Sequence, residues 1–250
     1  MSAQPPSDHT PPHPVWVRES RFGRWLMGTR LWYRDVLSRA LADFAPLLEG
    51  YQPEKPTVLD AGCGEGLAFK LLERQFSPSA IVGLDLDKDQ INKAIRRAAR
   101  IKTQTHIILE DVSQASFRDD TFDIIFAHHL LHHTLAQDAM VQKLMRLLKP
   151  GGVLLVAGPC RMFTQSWPVR WLFRHPASAQ KTAQDYVQLM RQQGFIVDDA
   201  RCAMRRPWWS RRTLGLAQKL GIPNNPEPTM LLLVAQKPYP QEEDERLAQP

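Results

Sequence analysis

The chain has 250 residues, 43% of them apolar, which is enough to bury the core of one domain with appendages. No apolar run approaches the roughly 20 residues of a membrane-spanning helix, and three widely spaced cysteines argue against a disulfide framework. Residues 1–14 lack the apolar core of a signal peptide, so we expect a cytoplasmic protein. The net charge of +6 favours an anionic partner or surface.

Composition divides the chain into a folded middle and two polar ends. Residues 1–14 are proline-rich and residues 239–250 are mostly charged and polar, so both are predicted to be disordered. Residues 15–50 are predicted to form an N-terminal helical lid. The main domain is predicted over residues 51–238, with lid inserts at about 159–178 and 205–228.

Between the ends, helical and strand-like patterns alternate. Apolar spacing predicts a helix over Arg30–Leu48, closed by Gly50. Five β-rich runs follow, separated by four helical segments. The strands are predicted over Thr57–Asp60, Ala80–Leu84, Thr105–Leu109, Phe122–Ala127 and Gly152–Ala157, and the helices over Leu67–Arg74, Asp89–Arg100, Asp138–Leu148 and Ala179–Gln193.

A strand pair, Phe195–Ala203 and Thr229–Gln236, completes the pattern. The alternation predicts an α/β fold with a doubly wound, mostly parallel sheet, helices on both faces and an antiparallel last strand.

The most informative motif is a buried strand that ends in an acidic turn with alternating glycines, Asp60-Ala61-Gly62-Cys63-Gly64-Glu65-Gly66. Glycines are needed where φ is positive or where a Cβ would collide with a ligand, so the turn suits a nucleoside lying on backbone. The nicotinamide fingerprint has its third glycine three residues after the second, whereas Gly66 follows Gly64 by two. This spacing weighs against a dehydrogenase without excluding it.

Further motifs follow in a fixed order. They are Val82-Gly83-Leu84-Asp85, Leu109-Glu110-Asp111-Val112, Phe122-Asp123-Ile124-Ile125-Phe126-Ala127 running into Leu131-His132-His133, and Leu148-Lys149-Pro150-Gly151-Gly152. Together with the glycine turn, they resemble the class I S-adenosylmethionine-dependent methyltransferases, in the broad group that includes quinone-biosynthesis and other small-molecule enzymes. The resemblance covers roughly residues 51–159 and implies a Rossmann-like sheet with S-adenosyl-L-methionine as cofactor.

The resemblance also assigns roles to residues at the strand ends. Asp85 is expected to accept hydrogen bonds from both ribose hydroxyls. Asp111, with the amide of Val112, is expected to bind adenine, and Asp60 to lie near the methionine amino group. The complete predicted cofactor set is Asp60, Ala61, Gly62, Gly64, Gly66, Asp85, Leu86, Asp111, Val112 and His128.

Four histidines, His128, His129, His132 and His133, cluster after the fourth strand. Residues four apart on a helix share a face, so His128 with His132 and His129 with His133 could contribute to a metal site. No Asp, Glu or Cys nearby completes such a site, so no metal is predicted. Imidazole titrates near neutrality, which makes His129 or His133 the candidate general base, with a purely structural role as the alternative.

The methyl acceptor is less clearly defined. Three stretches rich in Trp and Arg, residues 16–34, 161–174 and 205–212, are expected to form a lid over the cofactor face. Such a lid suits a small aromatic or lipophilic acceptor and peripheral contact with the inner face of a membrane.

Two alternatives remain open. One is an RNA-directed methyltransferase, although the base-methylating Asn/Asp-Pro-Pro turn is missing and a nucleophilic role for Cys160 is disfavoured. The other is a non-catalytic S-adenosylmethionine-binding domain. The sequence leaves the oligomeric state open.

Overall fold

The computed structural model describes residues 16–207 and 227–240. In this part of the chain, seven strands form one sheet in the order β3-β2-β1-β4-β5-β7-β6. The strands are β1 (Thr57–Ala61), β2 (Ala80–Asp85), β3 (Gln104–Leu109), β4 (Phe122–His128), β5 (Leu148–Pro159), β6 (Cys202–Arg205) and β7 (Met230–Gln236). The first five run parallel, and β7 is antiparallel to both of its neighbours, β5 and β6. The predicted α/β fold is confirmed.

Helices cover the sheet and form the N-terminal segment. They are α1 (Arg21–Met27), α2 (Arg30–Trp32), α3 (Ser38–Phe44), α4 (Phe69–Phe76), α5 (Lys88–Ala98), α6 (Gln137–Leu147), α7 (Arg161–Thr164), α8 (Trp167–Leu172) and α9 (Ala183–Gln192). Among the described residues, none of the helices is long and apolar enough to cross a bilayer.

Strand alternation produces two cores, one on each face of the sheet. Leu59 and Ile125 point into one, whereas Val58, Ile124 and Phe126 point into the other. Because helices cover both faces, successive residues of a central strand are all buried, as expected for parallel strands.

Strand β5 extends over Leu148–Pro159, beyond the predicted Gly152–Ala157, and three further predicted elements differ from the observed ones. The predicted helix over Arg30–Leu48 is divided into α2, a π-helical turn at Tyr33–Leu37, α3 and a 3₁₀ turn at Pro46–Leu48. Helix α9 begins four residues later than predicted, because the Thr182 side chain accepts from the Asp185 amide in a capping box.

The third difference concerns the predicted strand over Phe195–Ala203. It is reduced to an isolated bridge between Ile196 and Gln236, followed by β6. A 3₁₀ turn at Asp199–Arg201, capped by Asp198, interrupts it. Asx caps of this kind compete locally with strand pairing.

Candidate functional site

A pocket with an empty volume of about 1240 Å³, part of it open to solvent, lies at the carboxyl ends of β1, β2 and β4. This is where open α/β sheets bind their ligands. The predicted residues that line it are Asp60, Gly62, Gly64, Asp85, Leu86, Asp111, Val112, His128, His129 and His133. Two predicted residues, Ala61 and Gly66, are not part of the lining. Ala61 is buried in the core, and Gly66 leaves room for the Phe69 ring.

The glycine turn has the backbone geometry that its sequence predicts. Gly62, Gly64 and Gly66 have φ values of 73°, 51° and 72°, which a residue with a side chain rarely adopts. A Cβ built on Gly64 would meet no atom of the described residues within 4 Å, so this part of the turn borders open space. The Leu84 carbonyl accepts from the amides of Gly62 and Cys63 and holds the turn against β2.

Asp85 lies at the end of β2 and fixes the middle of the turn. Its two carboxylate oxygens accept from the amides of Gly64 and Asp87, each at 2.8 Å. Burial raises the pKa of Asp85, and these amide hydrogen bonds partly oppose the shift. The carboxylate therefore organises two stretches of the pocket wall, in addition to any contact with a ligand.

Asp60 has the least satisfied carboxylate of the site. Its Oδ2 is buried without a hydrogen-bond partner among the described residues. Burial, reinforced by the charge of Asp85, raises the pKa of Asp60 to about 8. Without a nearby cation, Asp60 is therefore protonated at neutral pH.

Asp111 begins a 3₁₀ turn after β3. Its Oδ1 accepts from the amide and the hydroxyl of Ser113, both at 2.8 Å. The neighbouring Val112 is buried and also lines the pocket. Asp111 is thus a turn acid and a pocket residue at once.

The end of β4 carries two partly exposed histidines whose Nε2 atoms are buried. His129 has a φ of 56°, and its amide donates to the Ala157 carbonyl at 2.7 Å. Its ring packs edge-on against Trp32, with a centroid distance of 4.9 Å, and also contacts the His128 ring. Burial lowers the pKa of His128 to about 3 and that of His129 well below its usual value, so both rings are neutral.

His133 lies in a different environment, beside a carboxylate that the sequence did not identify. Its Nε2 lies 3.7 Å from Oε2 of Glu19, and the His175 Nε2 lies 3.6 Å from the same oxygen. The Glu19 Oε1 accepts from the amides of Ser20 and Arg174. Burial raises the pKa of Glu19 and lowers the pKa of His133 to about 3 and of His175 to about 4.

The N-terminal segment contributes Trp16, Arg18 and Glu19 to the pocket lining, and its role as a lid stays a prediction. The Arg18 guanidinium donates to both carboxylate oxygens of Asp87, at 2.9 and 3.0 Å. The Val17 amide donates to the His133 carbonyl, and Trp16 bridges to Thr134. Arg18 and Glu19 had not been predicted as individual site residues, because no local motif relates them to partners 69 or more residues away.

Comparison with known proteins agrees with this geometry. Residues 59–156 match the family described as a methyltransferase domain. Phosphoethanolamine N-methyltransferase 3 of Arabidopsis thaliana is 29% identical over 139 residues, which are 55% of this chain and 28% of that protein. The 2-methyl-6-phytyl-1,4-hydroquinone methyltransferase of Synechocystis is 29% identical over 105 residues, 42% of this chain and 32% of that protein. The chain thus covers less than a third of either relative.

The fold is shared with solved proteins of low sequence identity. A SAM-dependent methyltransferase from Aquifex aeolicus superimposes with a TM-score of 0.60 at 15% identity, covering 86% of this chain and 96% of that one. The cofactor implied by the family and the fold is S-adenosylmethionine. Residues 59–156 thus match a methyltransferase domain, and the sheet around them has the fold of solved S-adenosylmethionine-dependent methyltransferases.

Proposed function

We propose that the protein transfers the methyl group of S-adenosylmethionine to a small aromatic or lipid-like acceptor. The observation that carries this proposal is the partnerless, buried Asp60 oxygen beside the open space at Gly64, in one pocket with neutral imidazoles and Trp32. One end of the pocket thus suits a charged nucleoside ligand, and the other suits an apolar or aromatic molecule.

The cofactor fits the residues at the first end. Asp60 would bind the amino group of the methionine part, whose positive charge offsets the cost of ionising this buried carboxyl. Asp85 would hold the ribose hydroxyls with the lone pairs that the two amides leave free. Asp111 and Val112 would bind adenine. The bound cofactor supplies a sulfonium-activated methyl group.

At the second end, the protein positions the acceptor. Positioning of reacting groups contributes as much as about 7 to 11 kcal/mol to such reactions. The His129 Nε2 is buried without a hydrogen-bond partner in the described part of the chain. We assign this nitrogen the role of accepting a hydrogen bond from the hydroxyl or amine of the methyl acceptor. This hydrogen bond orients the nucleophile. His133, the other predicted base, lies in the cluster with Glu19.

A lipid-like acceptor is supported by exposed aromatic rings on the lid. Trp25 is 64% exposed on α1, and Trp167 and Trp171 on α8 are 72% and 81% exposed. The Ser20 hydroxyl donates to the Leu172 carbonyl at 2.6 Å, which joins the start of α1 to the end of α8. Rings of this kind favour the headgroup zone of a membrane, where a lipophilic acceptor is found.

Exposed arginines on the same helices add to this preference. Arg21, Arg170 and Arg174 are exposed beside the rings, and basic residues near a membrane surface are attracted to anionic lipids. Of the third predicted lid stretch, residues 205–212, the part with Trp208, Trp209, Arg211 and Arg212 lies outside the described residues. The lid of the described residues therefore supports peripheral membrane contact.

An RNA acceptor is less favoured. Cys160, considered as a nucleophile for cytosine, is fully buried, and burial raises the pKa of its thiol to about 12. It is therefore a protonated packing residue at neutral pH.

The test of the acceptor class is incubation of the purified protein with S-adenosylmethionine labelled in its methyl group. A membrane-lipid extract and an RNA extract are offered in parallel. We expect label in the lipid fraction. Label only in the RNA fraction would show that the acceptor is RNA and not a lipid. Label in neither fraction would contradict methyl transfer to both classes.

Membrane contact is tested separately by sedimentation with vesicles of mixed neutral and anionic phospholipid. Trp171→Ser is expected to reduce the bound fraction. Ile95→Ser removes an apolar side chain that is 52% exposed on α5, away from the lid, and serves as the matched control. Equal loss in both variants would refute binding through the lid.

A further inference from the structure

The histidines beside Glu19 form a group to which the proposed methyl transfer assigns no role. His132, His133 and His175 each offer one ring nitrogen, and these nitrogens lie within 4.8 Å of one another. The Oε2 of Glu19 lies 3.6 Å from the His175 Nε2 and 3.7 Å from the His133 Nε2. Three separate segments of the chain supply these four side chains. They are the N-terminal segment, the turn after β4 and the stretch after α8.

The spacing of the three histidine nitrogens is close to that of a tetrahedral metal site, and Glu19 approaches two of the rings, His133 and His175. Nitrogen and oxygen ligands lie roughly 2.0 to 2.2 Å from Zn²⁺, so two ligands of one tetrahedral ion are about 3.3 to 3.5 Å apart. The two distances to Glu19 exceed this range by a few tenths of an ångström. If two histidine nitrogens are 4.8 Å apart, each ring must move by less than about 1 Å to reach this range. Small rotations of the side chains would complete the coordination.

The hydrogen bonding of these groups is incomplete without a cation. Glu19, His132 and His133 are 7%, 3% and 8% exposed. The Glu19 Oε2 lies beyond hydrogen-bond distance from both imidazoles. The buried Nδ1 atoms of His133 and His175 find no partner in the described part of the chain. Buried polar groups are normally paired, and buried carboxylates are paired with a cation or bound to a metal.

The backbone around the group is already fixed. The Gln180 side chain donates to the His132 carbonyl at 2.9 Å, and the Val17 amide donates to the His133 carbonyl at 3.1 Å. The Arg174 amide donates to Glu19 Oε1 at 2.9 Å, next to His175 in the chain. The ligands are thus held on an ordered frame, which lowers the cost of bringing them together.

We propose that His132, His133, His175 and Glu19 bind one divalent cation of the zinc type. Three neutral imidazoles and one carboxylate are the nitrogen and oxygen ligands that Zn²⁺ accepts. The ion ties the N-terminal segment and the stretch after α8 to the turn after β4, so it fastens two parts of the lid over the pocket. The site does not depend on the identity of the methyl acceptor.

Metal binding is measured on the untagged full chain after removal of metal with a chelator, in the absence of S-adenosylmethionine. Titration with Co²⁺, a spectroscopic substitute for Zn²⁺, is expected to give one equivalent with the visible absorption of a tetrahedral site. Zn²⁺ should displace the Co²⁺. His175→Ala is expected to weaken binding by at least about tenfold, the loss that changing even an outer partner of a metal ligand causes.

Two controls separate ligation from general damage. His106→Ala removes a histidine on β3, outside the group, and should leave binding unchanged. His175→Cys keeps a ligand but exchanges nitrogen for sulfur, so the Co²⁺ complex should gain a sulfur-to-metal charge-transfer band in the near ultraviolet. His175→Ala, measured in parallel, should lack this band, because it keeps the native cysteines Cys63, Cys160 and Cys202 but not the new sulfur ligand.

The proposal is overturned if the stripped protein takes up no Co²⁺, or if His175→Ala and His106→Ala bind equally well. It is also overturned if uptake is lost in the double variant His9→Ala, His13→Ala. These two histidines lie outside the described residues, and such a loss would assign the metal to them. Failure of methyl transfer leaves all of these readouts unaffected.

Discussion

Replacing Asp85 with Asn tests the proposed position of the cofactor. The substitution keeps the shape of the side chain but removes the charge and turns one acceptor oxygen into a donor. One of the two amides, Gly64 or Asp87, then faces an amino group in place of an oxygen. Hydrogen bonds to a charged group contribute about 1.5 to 3 kcal/mol, so the affinity for S-adenosylmethionine should fall by about 10- to 150-fold.

The affinity is measured by titration calorimetry, with Asp199→Asn as the control. Asp199 has a side chain that is 89% exposed and does not line the pocket. A cofactor analogue lacking the 2′-hydroxyl separates loss of the ribose contact from damage to the turn. The native protein should bind this analogue more weakly than S-adenosylmethionine. Asp85→Asn should bind the analogue and S-adenosylmethionine with nearly equal affinity. Unchanged affinity in Asp85→Asn, or an equal loss for the analogue in both proteins, would refute the assignment.

Three further predictions concern the same pocket. The folded protein without cofactor keeps a proton on Asp60 up to a pKa of about 8, against 3.8 as the usual value, so its stability should fall as pH rises between these values. Thermal melts of Asp60→Asn should lack this slope, and a parallel slope would refute the protonation. Gly64→Ala forces a side chain to a φ of 51° and into the pocket, which should cost about 1 to 2 kcal/mol of stability and weaken cofactor binding. Gly50→Ala, at a φ of 78° outside the pocket, should cost similar stability without the binding loss. His129→Asn, which keeps a hydrogen-bond acceptor and tolerates positive φ, should retain more kcat than His129→Ala. In the native enzyme, kcat should not change with the ionisation of His129 near pH 6.5, because burial keeps the imidazole neutral. The pH profile of His129→Asn should therefore have the same shape.

The sheet and the cofactor end of the pocket were predictable because both depend on local patterns. Short apolar runs separated by helical spacing define the strands. The acids Asp60, Asp85 and Asp111 lie at or just after the carboxyl ends of these strands, and a parallel sheet brings these ends together. The positive φ values of the turn follow from its glycines. Ten of the twelve predicted site residues line one pocket, although their roles remain predictions.

The acceptor end was not predictable in the same way. Glu19 meets His133 and His175 across more than a hundred residues of chain, and neither its own neighbours nor its spacing indicates the contact. The sequence neighbourhood of the histidines contains no acid that could complement them. The division of the leading helix at Tyr33–Leu37 was also missed, because apolar periodicity does not register a π-helical turn.

The ion pair between Arg18 and Asp87 has a consequence for the order of events during turnover. Asp87 lies two residues after Asp85 and begins α5, so the lid is fastened to the same loop that would hold the ribose. Movement of the N-terminal segment away from the pocket would break this ion pair and free the loop. If the demethylated cofactor leaves by this route, we expect its departure to become faster with added salt, because salt weakens the ion pair.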